Sequence, residues 1–433
     1  MKRFYYIWEK LNSSFWFIPL LILLFAMSAA IYFLHLDSVN DFDPEGVWSY
    51  FYAGSADSAR SILSTIAGAM IGVAGTTFSI TIVALTLASS QFGSRLLRNF
   101  MYDKVNQIVL GTYIATFVYC LMVLNAVRHS ELESFVPKIS VMAAILAAIL
   151  NIILLILFFH HIAISIQSDK VISDISEAMS GNMKKLFPSP VGKEVEEKAA
   201  PSVEQLRKKF LYRHEVLCTS SGYLQSMDLD YLLKVSRDSD AMAYLPHRPG
   251  SYLVEDTMLM EVFSHQQLDE RIEELCQSAY ITGKVRTSLQ DVEFSIHQIV
   301  EIAGRALSPG VNDPYTAITC IDNLSSILCY LSLAAFPSAG RYDEEGVLRL
   351  LTSPLTFEGM LDAAYHQIRQ YAANNPAVLI RLLEALSRIY RHAESASRKK
   401  AVEKHANMVL SVGERSFDEP HDLEDLKQRW IVT

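Results

Sequence analysis

The chain changes polarity once along its length. Four long apolar stretches, residues 15–36, 62–90, 108–127 and 139–159, run without Asp, Glu, Lys or Arg. Each has about the 20 residues that a helix needs to cross a hydrocarbon core of roughly 30 Å. The pattern predicts a four-helix transmembrane bundle in residues 1–160. The fourth stretch follows Pro137, a residue suited to the first turn of a helix. Its helical spacing continues to Gly181-Asn182. This reads as one helix of about 40 residues, on the order of 60 Å long.

Beyond it the periodicity is that of a soluble protein. Residues 161–205 read as the helix extension and a linker rich in Pro, Lys and Glu over 183–205. Residues 206–262 alternate as a small α+β unit. Strands are expected on either side of Ser221-Gly222, and Asp228 or Asp230 caps a helix. Residues 263–433 read as a helical domain, with helices at 266–280, 288–307, 314–334, 356–373, 376–393 and 395–411, and a flexible tail from about Phe417. The run over 317–336 is read as a buried core or contact helix, because Asp322 interrupts it. The expected class is mainly α: a four-helix transmembrane bundle, a cytoplasmic α+β unit and a C-terminal helical domain.

Composition agrees. Hydrophobic residues make up 51% of the chain, and mean hydropathy is +0.20. Residues 1–160 hold 9 Lys and Arg and 9 Asp and Glu, so the whole net charge of −9 falls in the remainder. An acidic soluble part lacks the basic footprint of nucleic-acid binding. Lys2, Arg3 and Lys10 precede the first span, and Arg95, Arg98 and Lys104 lie between the second and third. Asp37, Asp41, Asp43, Glu45 and Asp57 lie between the first and second. Positive-inside then puts both termini in the cytoplasm. Phe4, Tyr5, Tyr6, Trp8 and Trp16 suit an inner interfacial belt, and Trp48, Tyr50, Phe51 and Tyr52 an outer one. The five cysteines form no C-x-x-C pair and read as free thiols.

The second span departs from the others. Thr65, Gly68, Gly72, Gly75, Thr76, Ser79, Thr86 and Ser90 recur at helical spacing, and Gly68 and Gly72 form a G-x-x-x-G close-packing motif. Two readings fit. The helix is buried among its neighbours with hydroxyls bonded one turn back, or it lines a pore in an oligomer. Coupled carriers and pumps usually carry an intramembrane charged residue, and these spans hold no Asp, Glu, Lys or Arg; Asn125 lies near the end of the third and Asn151 inside the fourth. A passive pore or an anchor remains. His160-His161 at the exit of the fourth span point about 100° apart and cannot chelate one ion from one face.

In the soluble part, Glu293, His297, Glu301 and Arg305 are four apart and share a helix face. Pro309-Gly310 ends that helix, and Asn312 leads to Asp313-Pro314 as N-cap and first residue of the next. The cluster reads as an ion-paired stripe beside a well-capped turn. It would alternatively offer a carboxylate–imidazole metal pair, or an anion site joining Arg305 to the second helix's N-terminus. No P-loop, G-x-G-x-x-G, H-E-x-x-H, G-x-S-x-G or kinase signature is present. An enzyme is not the expectation, and no cofactor or metal is assigned.

Three runs carry a resemblance: AGTTFSITIVALTLASSQFGSRLLRNF (74–100), LGTYIATFVY (110–119) and AGRALSPGVNDPYTAITCIDNL (303–324). They resemble a widespread bacterial family of predicted inner-membrane proteins with a domain of unknown function, over roughly residues 10–410. Ser94 departs from the pattern, which has Pro there. The resemblance implies a multi-pass protein of the bacterial cytoplasmic membrane, and brings no substrate or catalytic residue. Two functions compete. One is a homo-oligomeric passive channel gated by its cytoplasmic domain. The other is a membrane-anchored sensor or scaffold whose cytoplasmic domain binds a ligand or partner. The lipid bilayer and further copies of the chain are the expected partners; nucleic acid is not.

Overall fold

The computed structural model describes residues 14–39, 55–93, 103–129, 134–186, 201–269, 271–288 and 290–430. The proposed aromatic belts except Trp16, the basic residues Arg95 and Arg98, Ser94 and most of the 183–205 linker lie outside them. The chain forms two compact units, residues 1–170 and 171–433.

The first unit contains α1 (Phe17–Val39), α2 (Ala56–Phe92), α3 (Lys104–Ala126) and α4 (Lys138–Ser165). Among the described residues these four helices are long and apolar enough to cross a membrane. A two-stranded ribbon, β1 (Arg128–His129) with β2 (Ser134–Phe135), joins α3 to α4. α3 packs against the other three helices. Half of its apolar window is buried, against 22% or less for the others, which makes it the centre of the bundle.

Polar groups set how these helices meet. The Tyr119 hydroxyl on α3 donates to the Ser140 carbonyl on α4 at 3.0 Å. The Asn151 amide, buried in α4, donates to Thr116 Oγ1 at 2.8 Å and reaches the Met70 sulfur on α2 at 3.2 Å. Asn151 therefore ties three helices together rather than facing a path. Pro137 stands at the N-cap of α4 and offers no side-chain acceptor. Asp37, in the last turn of α1, supplies it instead. Its carboxylate accepts from the backbone amides of Ile139 (2.8 Å) and Ser140 (3.0 Å) and from Ser140 Oγ (2.6 Å). An anion at a helix N-terminus is favoured by both the unpaired amides and the dipole.

The expected single helix through residue 180 is interrupted. α4 ends at Ser165, and the Gln167 amide makes a tight turn onto the Ile164 carbonyl at 3.0 Å. A new helix, α5 (Ser168–Leu186), then begins. Neither Pro nor Gly marks the break. α5 is amphipathic, and its Ile172, Ile175, Met179 and Met183 are buried.

The second unit starts with α6 (Val203–Lys209), closed by a Ser202/Gln205 capping box. β3 (Tyr212–Leu217) and β4 (Gly222–Met227) flank Ser221 as the sequence predicts, but they do not pair with each other. Asp228 caps α7 (Leu229–Asp238), which leads to β5 (Ala241–Leu245), β6 (Tyr252–Leu253) and β7 (Met258–Ser264). α8 (Arg271–Ser278) and β8 (Tyr280–Gly283) follow.

Past residue 263 the expected all-helical pattern also gives way at β9 (Gly340–Tyr342) and β10 (Leu348–Thr352). One sheet has the order β3-β7-β5-β10-β9, with β10 parallel to β5; the other has the order β6-β4-β8. Distant residues thus complete the α+β layer. The sheets and α7 and α8 enclose a core that includes Val216, Leu224, Leu232, Met260 and Leu350.

The helices α9 (Val292–Ala306), α10 (Pro314–Leu331), α11 (Phe357–Tyr371), α12 (Pro376–His392) and α13 (Ala396–Ser416) fall where periodicity places them. α10 is a buried core helix, clamped to α12 by two bonds of 2.7 Å from Arg381 to Asp322. In place of the expected flexible tail, residues Pro420–Gln428 form α14, with Leu426 buried and packed on Gly413. The sequence hid this because one leucine carries the contact. All five cysteines are free thiols, and four of them are buried.

Candidate functional site

α2 begins at Ser55, whose hydroxyl accepts from the Ser58 amide, and closes at Gly93 with φ 107°. It is 37 residues long, about 55 Å at 1.5 Å per residue. Ala59, Leu63, Ala67, Met70, Ala74 and Ala88 form its buried face. The small polar stripe is on the other side. At about 100° per residue, Thr65, Gly68, Gly72, Gly75, Thr76, Ser79, Thr86 and Ser90 fall in one arc opposite the buried alanines, and all eight are exposed in the single chain.

A Cβ added at Gly68, Gly72 or Gly75 would meet no described atom within 4 Å. Among the described residues of the single chain, no neighbouring helix packs against these three glycines. Each hydroxyl is nevertheless satisfied. Thr65 donates to the Ser61 carbonyl at 2.7 Å, Thr76 to Gly72 at 3.1 Å, and Ser79 to Gly75 at 2.9 Å. Thr86 donates to Ile82 at 2.9 Å and Ser90 to Leu87 at 2.8 Å. With the proton used internally, each oxygen presents its lone pairs outward. The face is uncharged and acceptor-rich, and is narrow in side-chain bulk except at Val83, which interrupts it and is 58% exposed. At the exit of α4, His161 pairs with Asp103, which also caps α3 through the Val105 amide.

The charged stripe of the second unit is differently occupied. Glu293 accepts from Arg248 at 2.7 Å, and the Arg286 guanidinium lies 3.3 Å from His297 Nδ1. Arg286 is itself held by Asp291 at 2.7 and 2.9 Å. Glu301 and Arg305 form an (i, i+4) pair at 3.9 Å. Each of Glu293 and His297 thus has an arginine beside it, Arg248 and Arg286 respectively.

The turn after α9 is built as the sequence predicts. Asp313 caps α10, accepting from the Thr316 amide at 3.1 Å and its hydroxyl at 2.6 Å, and its own amide closes on Ala306 at 2.7 Å. Asn312 holds φ 49°, a left-handed conformation that asparagine tolerates. The cap carboxylate thus satisfies the Thr316 amide at the start of α10. Asp313→Ala should lower the stability of the second unit by about 1 kcal/mol. Chemical denaturation of the purified protein would register this as a lower midpoint at unchanged slope.

A third constellation lies outside the stripes that the sequence singles out. Asp362 and His366, one turn apart on α11, meet His405 on α13. Both His366 Nε2 and His405 Nε2 lie 3.0 Å from Asp362 Oδ1, and the two rings stack with centroids 5.0 Å apart. His405 is 1% exposed, whereas Asp362 and His366 are half-exposed. Burial pushes the His405 imidazole down to about 4, so its ring is neutral near pH 7. The D-x-x-x-H spacing of the first two was visible in the sequence; the third residue, on a separate helix, was not linkable to it.

A family model described as "Predicted membrane protein (DUF2254)" matches residues 12–388. The chain is 32% identical over 378 residues to an uncharacterized protein of Mycobacterium bovis, Mb1321c, and equally to Rv1290c of Mycobacterium tuberculosis. Each alignment covers 86% of this chain and 71% of the relative. No solved structure matches it.

Proposed function

The chain belongs to the DUF2254 family of predicted membrane proteins, and from that premise we propose that it forms a homo-oligomeric passive conduit lined by α2. The carrying observation is the Gly/Thr/Ser face of α2, which points away from its own bundle and which no described side chain of the chain covers at its glycines. A face of small residues is wasted against lipid, because its use is close approach of another surface. Further copies of the same helix are the simplest such surface. The outward oxygen lone pairs suit water and small cations, and the lack of charged side chains in the spans argues against ion-coupled transport. Both termini and the acidic second unit then lie on the cytoplasmic side, following the basic loops, and that unit gates the conduit.

A second reading has its own support. Because every stripe hydroxyl named above is satisfied by its own backbone, the same face could close helix on helix. The protein would then be a membrane-anchored sensor or scaffold. Reconstitution in vesicles separates the two. A conduit gives K⁺ flux that exceeds Cl⁻ flux and falls when Thr76 and Ser79 are both replaced by valine. An oligomer with no flux would leave the anchor; a monomer would remove both readings.

A further inference from the structure

We propose that Asp362, His366 and His405 form a binding site for a zinc-class divalent metal ion, joining α11 to α13 in the second unit. The three ligand atoms, a carboxylate oxygen and two imidazole nitrogens, lie within 4.8 Å of one another. Both nitrogens already sit 3.0 Å from the same oxygen. A tetrahedral ion with bonds of about 2.0–2.1 Å separates its ligands by about 3.3 Å. The two nitrogen–oxygen separations need only a few tenths of an ångström of opening to match that spacing, and the two nitrogens lie within 4.8 Å of each other.

The donor set is borderline in softness. Two imidazoles and a carboxylate suit Zn²⁺, Co²⁺ or Ni²⁺ better than Ca²⁺ or Mg²⁺, which take oxygen ligands, and no thiolate is present for Cu⁺. The surrounding charges leave Asp362 available. Lys404, next to His405 in the chain, is held by Glu358 at 2.8 Å, and the Asp362 carboxylate contacts the two histidines. His405 is anchored in the core while Asp362 and His366 face solvent. This gives one fixed ligand, two accessible ones and an open side where water supplies the fourth position, the arrangement of three-ligand zinc sites. The (i, i+4) spacing sets Asp362 and His366 on one face of α11 without loop adjustment. His405 is 39 residues beyond His366 in the chain. A bound ion would therefore cross-link two helices of the C-terminal core and stabilise the folded state by mass action.

The test uses the full chain, purified in detergent, stripped with EDTA and titrated with ZnCl₂ and, separately, CoCl₂. The expected result is about one tightly held ion per chain, a higher melting temperature with Zn²⁺, and visible absorption bands of low-coordinate Co²⁺. His366→Gln and Asp362→Asn, both at half-exposed positions, should weaken binding by more than the 10- to 100-fold typical of outer-shell changes. Both should also abolish the Co²⁺ bands, while the metal-free melt stays close to that of the parent chain. Wild type that binds no more Zn²⁺ than His366→Gln would overturn the assignment and leave the three side chains as a hydrogen-bonded network. Co²⁺ bands that persist in both variants would overturn it equally, by placing the ion elsewhere.

Discussion

Gly72→Leu should abolish assembly of the protein in the membrane while leaving each chain folded. In the single chain a Cβ at Gly72 meets no described atom within 4 Å, so a leucine there strains nothing in its own bundle. Removing a helix-interior glycine even favours the isolated helix by roughly 0.5–1 kcal/mol. Against the α2 helix of another copy the same leucine prevents the backbone approach that a small-residue face permits. Stability and assembly therefore move in opposite directions, a combination that general damage to the fold would not produce. Size-exclusion chromatography with light scattering should show a smaller particle, and vesicle flux should vanish. Ile71→Ala, on the flank of the stripe and 47% exposed, should change neither. An unchanged particle size for Gly72→Leu would mean that this face contacts lipid.

Asp37→Ala should be the most destabilising single change in the first unit outside its apolar core. The carboxylate takes three hydrogen bonds from the start of α4, where Pro137 provides no cap of its own. Hydrogen bonds to charged groups contribute about 1.5–3 kcal/mol each, and they are not additive. A loss of about 2–4 kcal/mol is therefore expected. Asp37→Asn keeps one acceptor oxygen and should lose roughly half of that. The readout is the unfolding midpoint in mixed micelles with increasing SDS. A shift for Asp37→Ala within about 0.5 kcal/mol, the size of an ordinary surface change, would show that the cap contributes little.

These two residues mark the limit of what the sequence discloses. The four spans are legible because each is an uninterrupted apolar run, and the helices α9 to α13 are legible because their caps and periodicity are local. Asp228, Asp313 and Asn375 cap the helices they precede. The polar stripe on α2 is legible as a stripe. The direction it faces was open until the buried alanines were placed opposite it. Asp37 looked like one member of an acidic loop, because its partners lie 102 and 103 residues away.

Strand pairing failed in the same manner. β3 and β4 are adjacent in sequence, yet each finds its partners elsewhere, and β10 enters the sheet after more than 80 intervening residues. The break between α4 and α5 has no proline or glycine to announce it. Local pattern determines an element's existence; long-range hydrogen bonds and buried surface determine its neighbours.

Contact between copies of α2 across their Gly/Thr/Ser face can be read by cysteine cross-linking in the native membrane. Cys329, the half-buried thiol, is first changed to Ser; the four buried thiols are shielded. Single cysteines are then placed at Thr76 and Ser79 on the stripe, and at Ala67 and Ala74 on the buried face. Disulfide-linked dimers are expected on mild oxidation for Thr76→Cys and Ser79→Cys, and none for Ala67→Cys or Ala74→Cys. Dimers absent at both stripe positions, or equally abundant on both faces, would contradict it.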